Sequence, residues 1–418
     1  MRMKKLLLLF MTILPAIVFA QEKGIRFEHG LTWEQIKAKA KQENKYIFLD
    51  CFTTWCGPCK FMSSSIFPLE EVGEYYNSRF LSVKLQLDTT KQDSEEVKSW
   101  YATGQALARE YKVTGYPTFL FLDPDGQPVH RIVGSSPDGA TWLKRTAKVF
   151  EPGQQYYALM KKYESGDRDP ATLRAVAAAA MDAFDQKTAD AASKAYITTV
   201  KDWSAKENIE FAAKFTRSSK DPGFKIMLQE PEKVNAVLGE GKAQQAVKQI
   251  VLREEVYRHF WIKGKSNPDV NWKAITDSLK KKYPAYADEA VAMGKVTYYQ
   301  SQKDWDKFAP AVVSYMKKYG ATTSAFDLNE FAWTVFEHCK DMTCVTEALE
   351  WSRRSFKDRE NPNHIDTYAN ILYKMGKKDE AISWQEKAVA YSTSPQEKKA
   401  FQATLDKMKK GEKTWKHD

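Results

Sequence analysis

The stretch that decides the fold is Asp50–Met62, DCFTTWCGPCKFM, which places two of the chain's five cysteines three positions apart. The run before them, YIFLDCF over residues 46–52, is apolar or aromatic apart from Asp50. Such a run predicts a buried strand. Gly57 and Pro58 end it, and CKFMSSSIF predicts the start of a helix. The cysteine pair therefore falls at a strand-to-helix junction.

This position favours redox chemistry over a metal site or an inert cross-link. A structural zinc site needs four ligands, and the sequence has one Cys-x-x-Cys pair. Cys56 is expected at the N-terminus of a helix, where the dipole and free amides favour a thiolate, and Cys59 lies one turn deeper. Pro58 costs no hydrogen bond in a first turn. The spacing predicts an exposed attacking thiol at Cys56 and a shielded resolving thiol at Cys59.

Strand and helix patterns alternate on both sides of the pair. Further strands are predicted over residues 80–87, 116–122 and 129–133, and helical segments over 93–113 and 138–149. This alternation indicates a layered α/β domain, which we assign to residues 21–150.

With these motifs in place, the sequence resembles the thioredoxin family. Trp55–Lys60, WCGPCK, matches the active-site signature of that family, and Gly115–Thr118, GYPT, matches its proline loop. Asp50 matches the buried acid of the family, and Lys84 matches the basic partner of that acid. The resemblance covers about residues 40–150. It departs from the family in a longer charged connection over residues 88–113.

The resemblance implies a mechanism and a set of site residues. Cys56 would attack a substrate disulfide, and Cys59 would resolve the mixed disulfide. Asp50 would exchange a proton with Cys59, and Lys84 would tune its basicity. The Tyr116–Pro117 peptide would be cis, which removes an amide near the sulfurs and leaves a carbonyl for the substrate strand. The residues implied in substrate binding are Trp55, Gly57, Pro58, Tyr116, Pro117 and Thr118.

Cys51 falls on the predicted buried strand beside Asp50. A redox-sensing third thiol is one interpretation of this cysteine. A small buried hydrophobic residue is the favoured interpretation, because free cysteines are among the most buried residue types.

The N-terminus has the anatomy of a cleaved signal peptide over residues 1–20. Three basic residues precede an apolar run at 6–13, and small residues follow, ending at Ala20. The run is shorter than the roughly 20 residues that a membrane span needs. An uncleaved membrane anchor is the alternative. The pattern predicts a periplasmic or secreted protein.

The charge balance excludes a nucleic-acid footprint. The formal net charge is +10, and without the three basic residues of the predicted signal it is +7, from 61 basic against 54 acidic side chains. Lysines are scattered among acids, as in KKYESGDRD at 161–169, which indicates a solvated surface. No nucleic-acid partner is expected.

Helix patterns fill the chain after residue 153. Residues 151–325 are predicted to be an irregular helical region, and residues 326–418 to form helical repeats that resemble tetratricopeptide repeats. In the later repeat, Ala369, Ala381 and Ala388 would let two helices pack closely, and Gly376 would form their turn. The fold class is therefore a thioredoxin-like α/β domain followed by an all-α domain. Repeats of this kind could dock a protein partner.

A second cysteine pair, Cys339 and Cys344, lies within the helical part. A structural disulfide between two helices is the favoured interpretation, and a pair of buried free thiols is the alternative. A metal site would need further ligands that the sequence does not supply. No metal is expected, and no cofactor beyond the redox-active Cys56–Cys59 disulfide.

Together these features predict an exported thiol:disulfide oxidoreductase that reduces or isomerises protein disulfides. In thioredoxins, a Gly-Pro between the cysteines goes with a reducing potential, which disfavours an oxidase. The expected partners are protein disulfide substrates and a membrane or soluble thiol electron donor. The alternative is a redox-sensing adaptor whose helical repeats bind a partner.

Overall fold

The structure, a computed structural model, describes residues 23–203 and 205–415. The predicted signal peptide, residues 1–20, lies outside the described residues. The chain divides into two compact units, an N-terminal unit that ends at Asn208 and a C-terminal unit that begins at Ile209. No helix within the described residues is both long and apolar enough to cross a membrane.

The N-terminal unit contains a four-stranded sheet with helices on both faces and further helices after it. In chain order, its elements are α1 (Trp33–Glu43), β1 (Tyr46–Phe52), α2 (Gly57–Phe61), α3 (Glu70–Arg79), β2 (Phe80–Gln86), α4 (Glu95–Ser99), α5 (Tyr101–Glu110), β3 (Thr118–Leu122), β4 (Pro128–Val133), α6 (Gly139–Ala147), α7 (Tyr156–Glu164), α8 (Pro170–Asp182) and α9 (Gln186–Thr199). The sheet order is β2-β1-β3-β4. Strand β1 pairs parallel with β2 and antiparallel with β3.

Strand β1 lies at the centre of the sheet and is buried on both faces. Its odd-numbered residues, including Leu49 and Cys51, join an aliphatic cluster with Leu120 and Leu85. Phe48 joins an aromatic cluster on the other face, together with Trp142. Side chains alternate along a strand, so Asp50 lies on the same face as Phe48. Burial on both faces explains why the sequence of β1 is almost uniformly apolar.

The charged connection after β2 forms two short helices, α4 and α5, where the sequence predicted one helical segment over 93–113. The Asp93 carboxylate fixes the backbone at the start of this connection. It accepts hydrogen bonds from the backbone amide and hydroxyl of Thr90, from Gln86 and from the Tyr101 hydroxyl. These bonds hold the pKa of Asp93 far below its usual range. The side chain of one acidic residue thus holds the start of the charged connection in place.

The boundary between the two units lies later than the predicted end of the α/β domain at residue 150. Helices α7, α8 and α9, which the sequence assigned to the irregular region 151–325, belong to the N-terminal unit. Buried His130 of β4 accepts a hydrogen bond at Nδ1 from the Tyr156 amide. Lys148 forms an ion pair with Asp182 at 2.6 Å. These contacts attach the first helices to the sheet domain.

Over its described residues, which end at 415, the C-terminal unit is helical apart from one small β ribbon. Helix α10 (Lys206–Phe215) spans the boundary. The later elements are α11 (Pro222–Gln229), α12 (Pro231–Leu238), α13 (Lys242–Val251), β5 (Trp261–Ile262), β6 (Lys265–Ser266), α14 (Trp272–Lys282), α15 (Pro284–Gln302), α16 (Trp305–Tyr319), α17 (Ala325–His338), α18 (Met342–Ser355), α19 (Pro362–Lys374), α20 (Lys378–Tyr391) and α21 (Pro395–Lys410). The β5–β6 ribbon was not predicted, because two-residue strands leave no periodic signal.

The region predicted to hold repeats contains packed helix pairs. Ala369, Ala381 and Ala388 of α19 and α20 are fully buried in one hydrophobic cluster. Gly376 lies in the turn between these helices with φ +80°, a conformation that glycine adopts at little cost. The small residues therefore lie where the sequence pattern placed them.

Candidate active site

The Cys56–Cys59 pair is a disulfide at the N-terminus of α2. The S–S distance is 2.01 Å and the Cα atoms are 5.3 Å apart. Cys56 is the N-cap residue, and its Sγ accepts a hydrogen bond from the Cys59 amide at 3.1 Å. Pro58 lies in the first turn, as the sequence predicted. A backbone amide in the first turn of the helix thus donates to the sulfur of Cys56.

The predicted exposure of Cys56 is wrong for this disulfide form. Cys56 is 3% exposed and Cys59 is 4% exposed. The side chain of Cys56 turns back to cap its own helix, and this buries its sulfur. The neighbouring residues are exposed instead, since Trp55 retains 69% of its surface and Gly57 and Pro58 are exposed. The surface at this site is therefore formed by the residues around the sulfurs.

The proline loop meets the cysteine loop through two aromatic rings. The Tyr116–Pro117 peptide is cis, as the resemblance implied. The rings of Trp55 and Tyr116 lie edge to face, with centroids 5.9 Å apart. Thr118 begins β3 directly opposite Cys51 of β1. Both loops thus leave the central strands of the sheet at the same end.

The two carbonyls beside the cis peptide differ in their hydrogen bonds. The Pro117 carbonyl accepts a hydrogen bond from the Gly134 amide at 2.9 Å. Within the described residues, neither the amide nor the carbonyl of Tyr116 has a hydrogen-bond partner. Tyr116 therefore presents the donor and acceptor that an added strand would need.

Asp50 and Lys84 form a buried ion pair across the β1–β2 ladder. The two residues are directly opposite in the parallel register, and the Lys84 Nζ donates to Asp50 Oδ2 at 2.9 Å. Asp50 is 2% exposed. Burial raises the pKa of its carboxyl, and the nearby Lys84 charge lowers it by less. A carboxyl whose pKa is raised holds its proton closer to neutral pH.

Lys84 is itself held by several groups. Its Nζ also donates to the Ser63 hydroxyl at 2.7 Å. The ammonium lies 4.8 to 5.6 Å from the ring centroids of Phe27, Phe52 and Phe67. The rings pack around the ammonium as cation–π contacts. The lysine is thus fixed beside Asp50, although a third of its side chain is exposed.

Sequence reasoning missed two residues that position the site. Asp88, just after β2, accepts hydrogen bonds from the Thr54 amide at 3.0 and 3.1 Å and from the Thr54 hydroxyl. These bonds fix the loop that leads into Trp55. Arg145 of α6 donates to Ser136 Oγ at 2.9 Å and to the carbonyl of Val133 at 3.0 Å, which fixes the loop after β4. The sequence signal that could have identified Asp88 was an acidic residue directly after a predicted strand.

Cys51 lies in the aliphatic cluster and is fully buried. Burial raises the pKa of its thiol well above the ordinary range. It lies on the opposite face of β1 from Asp50, because consecutive strand residues alternate. Its surroundings are those of a packed core residue.

The predicted Cys339–Cys344 disulfide is absent, since both residues are free thiols. Cys339 is the C-cap of α17, and Cys344 lies in the first turn of α18. Asp341 lies between them and accepts from both thiols, at its carbonyl from Cys339 at 3.6 Å and at Oδ2 from Cys344 at 3.9 Å. Each thiol thus has an acceptor on Asp341. Among residues 23–203 and 205–415, no group of three or more His, Cys, Asp or Glu side chains is arranged to hold a metal.

Comparison with known proteins places this site in a family. A family model described as a thioredoxin-like domain matches residues 33–147. Thioredoxin Asp f 29 of Aspergillus fumigatus is 32% identical over 101 residues, which are 24% of this chain and 76% of that protein. Thioredoxin of Mycobacterium tuberculosis is 36% identical over 92 residues, 22% of this chain and 64% of that one.

Other relatives match over a smaller share of their length. A bifunctional thioredoxin reductase/thioredoxin of Mycobacterium leprae is 31% identical over 120 residues, 29% of this chain and 22% of that protein. This chain thus spans less than two thirds of some of the relatives that it matches.

Two solved structures are similar to about a third of the chain. A thioredoxin from Thermus thermophilus is 26% identical, with a TM-score of 0.25, over 31% of this chain and 90% of that one. A Bacteroides thetaiotaomicron chain with a provisional disulphide-isomerase assignment is 34% identical, with a TM-score of 0.26, over 32% of this chain and 98% of that one.

The matched segment contains the Cys56–Cys59 disulfide, the Asp50–Lys84 ion pair and the cis Tyr116–Pro117 peptide. The region after it is helical and lies outside the family model. Through its N-terminal α/β domain, this chain belongs to the thioredoxin family.

Proposed function

We propose that this protein is an exported thiol:disulfide oxidoreductase that reduces or isomerises protein disulfides through Cys56 and Cys59. One observation carries the proposal: the two cysteines form a disulfide in which the first sulfur caps a helix N-terminus. A sulfur in that place is stabilised as a thiolate by the amide that points at it, and a stabilised thiolate is the reactive form. Export is supported by the signal-peptide pattern of residues 1–20.

In the reductive direction, the reduced protein starts the cycle. The Cys56 thiolate attacks one sulfur of a substrate disulfide, forms a mixed disulfide and releases the other substrate sulfur as a thiol. Cys59 then loses its proton and attacks the Cys56 Sγ, which releases the second substrate thiol. Two electrons pass to the substrate, and the protein is left with the disulfide seen here. A thiol electron donor must reduce that disulfide before the next cycle.

Asp50 is the proposed proton acceptor for Cys59. Its buried carboxyl has a raised pKa, so it takes up a proton more readily than an exposed carboxyl does. The Lys84 charge opposes this rise and favours the carboxylate form that accepts the proton.

The substrate would bind as an extended segment against the proline loop. The amide and carbonyl of Tyr116 can pair with one residue of that segment, as in β-strand addition. The exposed ring of Trp55 and the exposed Gly57 and Pro58 offer apolar contact on the other side of the disulfide. Contacts with backbone and flat apolar surface suit protein disulfides of varied sequence.

Reduction of insulin disulfides by the pre-reduced full-length protein tests the proposal. We expect turnover with a thiol reductant, and loss of turnover to the background rate for Cys56→Ser. Cys59→Ala should accumulate covalent partners, because the mixed disulfide can no longer be resolved. Cys51→Ala is the matched control and should retain activity. Partners that copurify without a covalent bond, in the absence of turnover, would favour the adaptor function instead.

A further inference from the structure

A second pair of thiols in the C-terminal unit has the arrangement of a thiol–disulfide exchange site. Cys339 ends α17 and Cys344 lies in the first turn of α18, on either side of a turn that begins after His338. Both thiols donate to the same residue, Cys339 to the Asp341 carbonyl at 3.6 Å and Cys344 to Asp341 Oδ2 at 3.9 Å. The two cysteines thus flank one acceptor residue and are unbonded.

The two cysteines differ in access. Cys339 is buried in a hydrophobic cluster, and Cys344 lies at the edge of that cluster and is partly exposed. The end of α17 is held in place, because the Lys374 ammonium donates to the Cys339 carbonyl at 3.0 Å. An accessible thiol beside a shielded one is the division between an attacking and a resolving cysteine.

Cys344 opens into a groove of about 660 Å³ in the C-terminal unit. Pro310, Val313, Lys317 and Lys318 of α16 line its other side. The groove is open to solvent and Cys344 is partly exposed, so a small molecule can approach this cysteine.

We propose that Cys339 and Cys344 are a second redox site, at which Cys344 exchanges with low-molecular-weight disulfides and Cys339 closes the bond. The Cys344 thiolate attacks one sulfur of the small disulfide and displaces the other as a thiol. Cys339 loses its proton and attacks the Cys344 Sγ, which releases the second small thiol. The protein loses two electrons and two protons, and one small disulfide becomes two thiols. The site acts independently of Cys56 and Cys59.

The surroundings of Cys344 predict slow attack at neutral pH. Burial, the hydrogen bond to Cys339 and the nearby Asp341 charge raise the pKa of Cys344 to about 12. Lys317 and Lys318 lie on the α16 side of the groove, and Lys317 forms an ion pair with Glu347 of α18 at 2.9 Å. Since only the thiolate attacks, the exchange rate should rise about tenfold for each pH unit between pH 7 and 9.

The test uses the full-length Cys56→Ser/Cys59→Ser variant, which removes the first redox pair. The reduced variant is equilibrated with reduced and oxidised glutathione over a range of ratios, quenched with acid and analysed by peptide mass spectrometry. We expect a peptide that links Cys339 to Cys344, in proportions that follow the glutathione ratio. Cys51 is the internal control and should remain a free thiol. If the double variant does not fold, the peptide that links Cys339 to Cys344 is measured in the wild-type chain instead.

Single variants in the same background test the order of attack. Cys339→Ser should accumulate glutathione on Cys344, because the resolving thiol is gone. Cys344→Ser should leave Cys339 unmodified over the same time. The proposal is overturned if both thiols stay free at every glutathione ratio, or if each takes up glutathione without the linked peptide forming. Because Cys56 and Cys59 are absent, neither outcome bears on insulin reduction.

Discussion

Each cysteine pair of this chain has one member at the start of a helix, Cys56 at α2 and Cys344 at α18, yet the helix ends treat these two sulfurs differently. At α2, Cys56 is itself the N-cap, and its sulfur accepts the Cys59 amide. At α18, Asp341 is the N-cap and its carboxylate accepts the Thr343 amide at 2.9 Å. The sulfur of Cys344 is left to donate to that carboxylate at 3.9 Å. A helix N-terminus therefore favours a thiolate only where the sulfur takes the capping place.

The chemistry around each pair follows from this difference. In the first domain, the buried acid Asp50 is paired with the Lys84 cation, which is the basis of the proposed proton transfer. At the second pair, burial raises the pKa of Cys344, and the charge of the N-cap residue Asp341 raises it further. The first arrangement suits rapid turnover, and the second suits slow bond formation.

Removing the acid at the first pair should have the largest effect. Asp50→Asn leaves the size of the side chain unchanged but removes the proton acceptor for Cys59. We expect insulin reduction at pH 7 to fall about 100-fold, the usual contribution of a positioned base. Steady-state assays against Asp125→Asn, an exposed acid in the β3–β4 turn, supply the comparison. Equal activity of the two variants would remove Asp50 from the mechanism.

The same variant should change how stability depends on pH. Burial raises the pKa of Asp50 in the folded chain, so its stabilising contribution is complete at low pH and is lost as the pH rises through the folded value. Asp50→Asn should therefore unfold at a higher temperature than the wild type at pH 8, and the difference should shrink towards pH 4. Thermal unfolding at several pH values measures this. A difference that does not vary with pH would contradict the raised pKa.

Removing the charge of the N-cap residue Asp341 should make the Cys344 thiol more reactive. Asp341→Asn keeps a good N-cap but removes the negative charge beside Cys344, so the pKa of that thiol should fall. We expect alkylation of Cys344 by iodoacetamide at pH 8 to accelerate about tenfold. Asp138→Asn is the matched control, since Asp138 caps α6 through the Thr141 amide and has no cysteine in its helix. No change at Cys344 would show that burial alone sets its reactivity.

Removing the hydrogen bonds that hold the loop before Trp55 should have a moderate effect. Asp88→Ala removes three hydrogen bonds to Thr54, and we expect a loss of about 1–2 kcal/mol in the free energy of unfolding. Insulin reduction should fall several-fold, because Trp55 follows this loop directly. Thr54→Ala removes one of the three bonds and should show a smaller loss in urea unfolding and in activity. If the two variants are equivalent, the amide bonds to Asp88 do not position the loop.

The smallest effect is expected in the helical region. Gly376→Ala places a Cβ at φ +80° in the turn between α19 and α20, which should cost about 1 kcal/mol of unfolding free energy. Insulin reduction should be unchanged. Gly153→Ala is the control, because Gly153 has an ordinary φ and no neighbouring atom within 4 Å of the added Cβ. Urea unfolding followed by circular dichroism distinguishes the two.

Several features of the site could be predicted from the sequence because they depend on local pattern. An apolar run that is broken by Gly-Pro indicates a strand and a helix start, and β1 and α2 lie there. The resemblance of WCGPCK and GYPT to a family also implied the cis Tyr116–Pro117 peptide and the partnership of Lys84 with Asp50. These motifs are short, and each can be interpreted from its own residues without the rest of the chain.

Tertiary structure decided what depends on distant residues. Whether Cys56 is exposed, which groups accept the thiols of Cys339 and Cys344, and where the two units divide all depend on contacts between separate segments. The local sequence determined which atoms could do chemistry, because residue type and backbone preference are properties of the chain itself. Packing determined their protonation and access, because burial and neighbouring charge exist only once the chain has folded.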